Sequence, residues 1–185
     1  MLLERLRDFY RRPRELRAVE LLRHPESYPG LAPWSELDTL VSFIRLPSFH
    51  PYSVWTFQRC GEDWRVRRIE WDHVADHRDA DSVPESAPTT YGADAQLPAS
   101  DSQQLLDNLT AIRLPPLNKR GAWGIDGVSY SVVFGNAWAS ACLSWWVEPP
   151  EGWQPLAQCY ERAIDLFEHH LPVSTAGNPK LHAGA

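Results

Sequence analysis

The chain has 185 residues, 43% hydrophobic and 23% charged, with a formal net charge of −6. That length suits one compact domain that buries roughly 70% of its unfolded surface, and the acidic balance excludes an extended nucleic-acid surface. Three cysteines without a CxxC spacing argue against a disulfide framework or a zinc knuckle, charges interrupt the N-terminal apolar run, and no stretch approaches the roughly 20 apolar residues of a bilayer span. The expectation is a soluble cytoplasmic domain over residues 1–172 with a flexible tail over 173–185, no membrane association and no nucleic-acid partner.

In chain order, Leu2, Leu3, Leu6, Phe9 and Tyr10 have helical spacing, and Pro13 separates that helix from a second one carrying Leu16, Val19 and Leu22, both within residues 1–24. The Pro- and Gly-rich segment 24–37 reads as a loop, and "LVSFIRLP" as a short strand. "SVWTFQR" (53–59) and "WRVRRIEWD" (64–72) form a hairpin across Cys60-Gly61-Glu62-Asp63. Residues 72–101 read as a long acidic loop. From Asp101 and Gln104, spaced as a capping box, Leu105, Leu106, Leu109 and Ile112 continue an amphipathic helix. "VSYSVVF" (128–134) and "ASACLSWWV" (139–147) make a second hairpin, and Trp153, Leu156, Tyr160, Ile164, Phe167 and Leu171 mark a last helix over 150–171.

This order predicts an α+β fold: a single antiparallel sheet with helices packed on one face. Strand alternation puts Tyr130, Val132, Phe134, Ala141, Leu143 and Trp145 against those helices. The opposite face of the same hairpin carries Ser129, Ser131, Ser140, Cys142 and Ser144, all small, beside the large Trp146. Trp146 is therefore either covered by another element or open as a contact surface.

Charge is concentrated. Residues 72–101 hold seven acids against one base, a net of −6 that equals the charge of the whole chain. Within this run, "WDHVADHRDAD" sets His73 and His77 four apart with Asp76 between them, a spacing that could present divalent-metal ligands on one helical side. The segment has few apolar residues with which to fix a second shell, so it reads as a solvated acidic loop. His50, Cys60 and Cys142 have no partners at catalytic spacing, Cys142 fits a small buried position, and nucleotide, phosphate and H-E-x-x-H motifs are absent. The pattern predicts no cofactor and favours protein binding over catalysis, with Asp76, Asp79, Asp81, Glu85 and Trp146 contacting a basic protein partner. A small metal-dependent hydrolase using His73, His77 and Asp76, or a structural subunit of a larger assembly, are the alternatives.

"LPSFHPYSVWTF", "TTYGADAQL", "LPPL…GIDGVSYSVVFGN" and "LSWWVEPPEGWQPL" together resemble small bacterial proteins similar in outline to immunity proteins of polymorphic toxin systems. The resemblance covers about residues 40–171. It implies a noncatalytic inhibitor that occludes a cognate toxin, and it carries over no active-site residue.

Overall fold

The computed structural model describes residues 2–35, 38–78, 86–115, 124, 126–135 and 140–177. Two helices open the chain, α1 (Leu2–Phe9) and α2 (Pro13–Arg23), the latter starting on a proline whose missing N–H is one the first turn leaves unbonded in any case. Strands β1 (Thr39–Pro47), β2 (Tyr52–Cys60) and β3 (Asp63–Trp71) follow, then a short helix α3 (His73–Arg78), β4 (Thr90–Leu97) and α4 (Ala99–Ala111). The chain continues through β5 (Val128–Gly135) and β6 (Ser140–Trp146) to α5 (Gln154–His170). The six strands form one antiparallel sheet in the order β4-β3-β2-β1-β5-β6.

The α+β class, the single antiparallel sheet and both hairpins therefore stand. Gly61, at φ +62, sits in the two-residue β2–β3 turn, a conformation that suits glycine at the first central position. Helices α4 and α5 supply the expected layer: Leu105, Leu109, Leu156, Tyr160, Ala163 and Phe167 bury against Val41, Phe43, Trp55, Phe57, Val66, Val132 and Trp145. The structure adds a second layer. Leu3, Ala18, Val19 and Leu22 of α1 and α2 pack on Ile44, Val54, Ile69 and Trp71, which alternate with the first set and so point to the other face. Central strands apolar on both sides require a cover on both.

The long loop expected over 72–101 gives way to α3 and β4. The run "TYGADAQL" has a weak intrinsic strand preference, yet all eight of its residues pair with β3. Residues 173–177 are described, and the Ser174 hydroxyl donates to both Glu70 oxygens at 2.9 and 2.7 Å. Residues 178–185 lie outside the described ones, and no helix among those described is long and apolar enough to cross a membrane.

Phe167 is fully buried and touches the rings of Phe43 and Phe57, at centroid distances of 5.5 and 5.8 Å. Phe167→Ala is expected to lower the unfolding free energy in urea by about 3–5 kcal/mol. Val173→Ala, at a residue 90% exposed, should change it by less than about 0.5 kcal/mol.

Candidate functional site

Strand β3 carries two adjacent arginines in its interior. Because consecutive strand residues point to opposite faces, Arg67 enters the α2 side and Arg68 the α5 side. Both are buried, and a buried guanidinium is tolerated only when its charge and its donors are met.

Arg67 meets all five. Its Nε and Nη2 form a fork to Asp94 of β4 at 2.6 and 2.7 Å. Nη1 donates to the carbonyls of Pro25 and Glu26 at 2.8 and 3.1 Å, and Nη2 to that of Ala32 at 2.6 Å. Trp34 lies over the guanidinium, 4.3 Å from its ring centroid. One side chain thus ties the whole segment 25–34 to the sheet. Within that segment, Tyr28 donates its hydroxyl to Thr90 Oγ1 at 3.1 Å and lays its ring on Gly92. A Cβ at position 92 would fall 2.5 Å from the ring, so only glycine admits this contact.

Arg68 organises the opposite face. Its Nε is 2.9 Å from Glu70 Oε2, Nη1 donates to Glu168 of α5, and Nη2 donates to the Pro172 carbonyl at 2.8 Å. Glu168 also accepts from the Trp55 indole at 2.6 Å. Burial pushes the Glu70 carboxyl up from its ordinary value of 4.5, against the opposing pull of Arg68 and Ser174 and with added repulsion from Glu168. Together Arg68 and Glu70 fasten residues 172–174 beside β4.

The result is a cleft of about 670 Å³ around the edge of β4, with Tyr28 to Leu31 as one wall and Pro172 to Thr175 as the other. It meets a second, mainly apolar groove of about 750 Å³ at Tyr28, Pro29 and Thr90, floored by Leu16, Leu21 and Pro88. Val173, on the lip of the cleft, is 90% exposed.

Several residues singled out in the sequence take other places. Asp76 is 2% exposed, not part of a solvated loop. It pairs with Arg14 of α2 at 2.7 Å, accepts from the Trp71 indole at 2.8 Å, and accepts from the Thr89 N–H at 3.1 Å. A contact role for Asp76 is thereby corrected: its carboxylate joins α2, α3, β3 and the entry to β4. Asp79, Asp81 and Glu85 lie outside the described residues. The ends of their segment are fixed, Asp76 at one side and Ser86 at the other, where Arg17 donates to the Ser86 carbonyl at 2.8 Å.

Trp146 is half-buried. Its ring packs against Gly124 and Gly127, where Cβ atoms would fall 3.2 and 2.8 Å away. It belongs to β6, five strand spacings from β4, or about 24 Å at roughly 4.8 Å per strand. The edge of β4 and Trp146 are therefore not one patch. Cys142, expected to be buried, is exposed.

His73 and His77 do fall on one short helix, but His73 Nε2 is 2.9 Å from the His50 carbonyl and its ring stacks on Tyr52 at 4.0 Å. Burial holds its pKa below the ordinary 6.5. His77 is exposed, Asp76 is engaged elsewhere, and among the described residues no three potential ligands gather.

Sequence reasoning missed Arg67, Arg68, Glu70 and the β4 edge. One signal was present: "RVRRIE" places three arginines and a glutamate inside a strand apolar on both faces, where charge must find fixed partners. No protein-family model matches the chain, and no curated protein and no solved structure matches it.

Two outcomes follow from these contacts. Arg67→Ala leaves Asp94 unpaired and three carbonyls without their donor, and should cost about 3–5 kcal/mol in urea denaturation. Glu70 binds its proton more tightly folded than unfolded, so its contribution to stability falls as pH rises above 4.5. Between about pH 4.5 and 7, Glu70→Gln should therefore gain stability relative to the parent. A gap that shifts the other way across parallel denaturation curves would contradict the assignment.

Proposed function

We propose that this chain is a noncatalytic binding protein that docks a basic protein partner at the β4 end of its sheet. The observation that carries the reading is the cleft around the open edge of β4, whose two walls are held by buried, fully paired arginines. A site of this kind is pre-formed, so a partner need not order it on binding. The charged groups lining it, Arg68, Glu70 and Asp94, are committed to ion pairs that hold the walls. This use of charge supports recognition over proton transfer.

The partner's sign follows from the sequence around the cleft. Within the stretch from Asp72 to Asp101, which contains β4 and the segment that enters it, Asp76 and Asp94 are paired with Arg14 and Arg67, and the five other acids against Arg78 leave a net of −4. Such a concentration accelerates encounter with a basic surface and rejects an acidic one. An immunity-type inhibitor, covering the active surface of a basic toxin, is the most concrete form of this reading and rests on the motif resemblance. A structural subunit would use the same surface with a different partner. No geometry among the described residues favours the hydrolase alternative, because Asp76 is enclosed by Arg14, Trp71 and Thr89.

The test is co-purification of the tagged chain from its native cell at low and high salt. A stoichiometric basic protein, released as salt rises, is the expected result. Replacing Asp79, Asp81 and Glu85 together by Asn, Asn and Gln should weaken that complex more than tenfold while leaving the thermal transition in place. Recovery of no protein partner, or of one indifferent to both salt and the triple substitution, would overturn the reading.

A further inference from the structure

We infer that the partner is held as a single extended, basic segment that adds a strand to the outer edge of β4, a mode of binding that rests on the reading above. The phase of the β3–β4 ladder shows which backbone groups are open. Asp72 N–H donates to the Thr89 carbonyl at 2.9 Å, and the register continues as Trp71 to Thr90 and Glu70 to Tyr91. Bonded and non-bonded pairs alternate in an antiparallel ladder, so the bonded pairs are Glu70–Tyr91, Arg68–Ala93, Val66–Ala95 and Trp64–Leu97. Thr90, Gly92, Asp94 and Gln96 therefore turn their backbone groups away from β3. The Thr90 N–H turns back to the Pro88 carbonyl at 3.0 Å, which leaves Gly92, Asp94 and Gln96 as outward donors over about 14 Å.

Among the described residues no strand pairs with that edge. An exposed edge of this length is a template for another strand. The walls then select what kind. Side chains of an added strand would point alternately to the Tyr28 side, which continues into the apolar groove at Leu21, and to the Val173 side, where Glu70 is already paired with Arg68 and Ser174. The occupant is therefore a segment with apolar residues at every second position, its basic character being that of the partner proposed above. A second copy of this chain, pairing β4 with itself, is the competing occupant that the test separates.

Amide hydrogen exchange on the free full-length chain is the first arm of the test. Residues 91, 93, 95 and 97 should exchange slowly and 92, 94 and 96 fast; protection of the second set would mean that the edge is already covered and would overturn the inference. In the second arm, a phage-displayed library of random twelve-residue peptides is panned against the full chain, and enriched peptides are synthesised and titrated. The expected result is a basic consensus, apolar at every second position, that protects amides 92, 94 and 96. Binding should weaken at least fivefold in Gln96→Pro, which removes an outward donor where an edge strand tolerates proline, and in Val173→Lys, a surface change that leaves the fold intact.

No enrichment, protection elsewhere, undiminished binding by both variants, or self-association that protects β4 would each overturn strand addition. A co-purified basic partner that leaves amides 92, 94 and 96 exchanging freely would overturn it too, while the binding-protein reading would stand. Failure to recover any partner strikes that reading itself.

Discussion

Two neighbouring guanidinium groups inside β3 set the constraint on which this end of the molecule depends. Arg67 and Arg68 point to opposite faces of one strand, and each is 3% exposed or less. A buried charge without partners is prohibitive, so each face must bring acceptors to it. On one side these are Asp94 and the carbonyls of Pro25, Glu26 and Ala32; on the other, Glu70, Glu168 and the Pro172 carbonyl. Apolar packing could have held α2 and α5 against the sheet. It could not by itself have satisfied the backbone carbonyls of the two irregular segments that lie against β3 and β4. The arginines convert those segments into walls.

A third ionic contact couples the N-terminal helices to the same end. Asp76, at the centre of α3, accepts from Arg14, from the indole of Trp71 and from the backbone of Thr89. Trp71 in turn meets Tyr10 and Tyr52 edge to face, at 4.9 and 5.6 Å. The aromatic cluster excludes water from the carboxylate, which strengthens its bonds and raises the cost of breaking any one of them. Both ends of the acidic run are thus anchored next to α2, although the run is the most polar part of the chain. Part of the charge that the sequence concentrates there holds the structure, in Asp76 and in Asp94.

The elements with the strongest periodicity were legible from residues alone. Helix α5 repeats Leu156, Tyr160 and Phe167 along one face, and the strands of both hairpins alternate as half-buried strands do, so hydrophobic spacing decided them. Strand β4 was not legible. Its Gly92, Ala93, Asp94 and Ala95 have low strand preference, and two of them have contacts outside β4 that hold them there: Gly92 receives the Tyr28 ring, and Asp94 receives Arg67. Asp76 was misread for the same cause. A carboxylate in a polar run looks solvated until the distant Arg14 is brought to it beside Trp71, and sequence spacing holds no record of a contact 62 residues away.

The sequence by itself determined the fold class, the two hairpins, the terminal helices and the concentration of negative charge in one segment, because local periodicity and composition are properties of neighbouring residues. The tertiary structure alone decided that helices cover both faces, that Asp76 is enclosed, that Trp146 stands on the edge strand opposite β4, and that a walled cleft surrounds β4. Those features depend on which charges find which partners across long separations. Only the folded chain supplies the low-dielectric interior that makes such pairing obligatory.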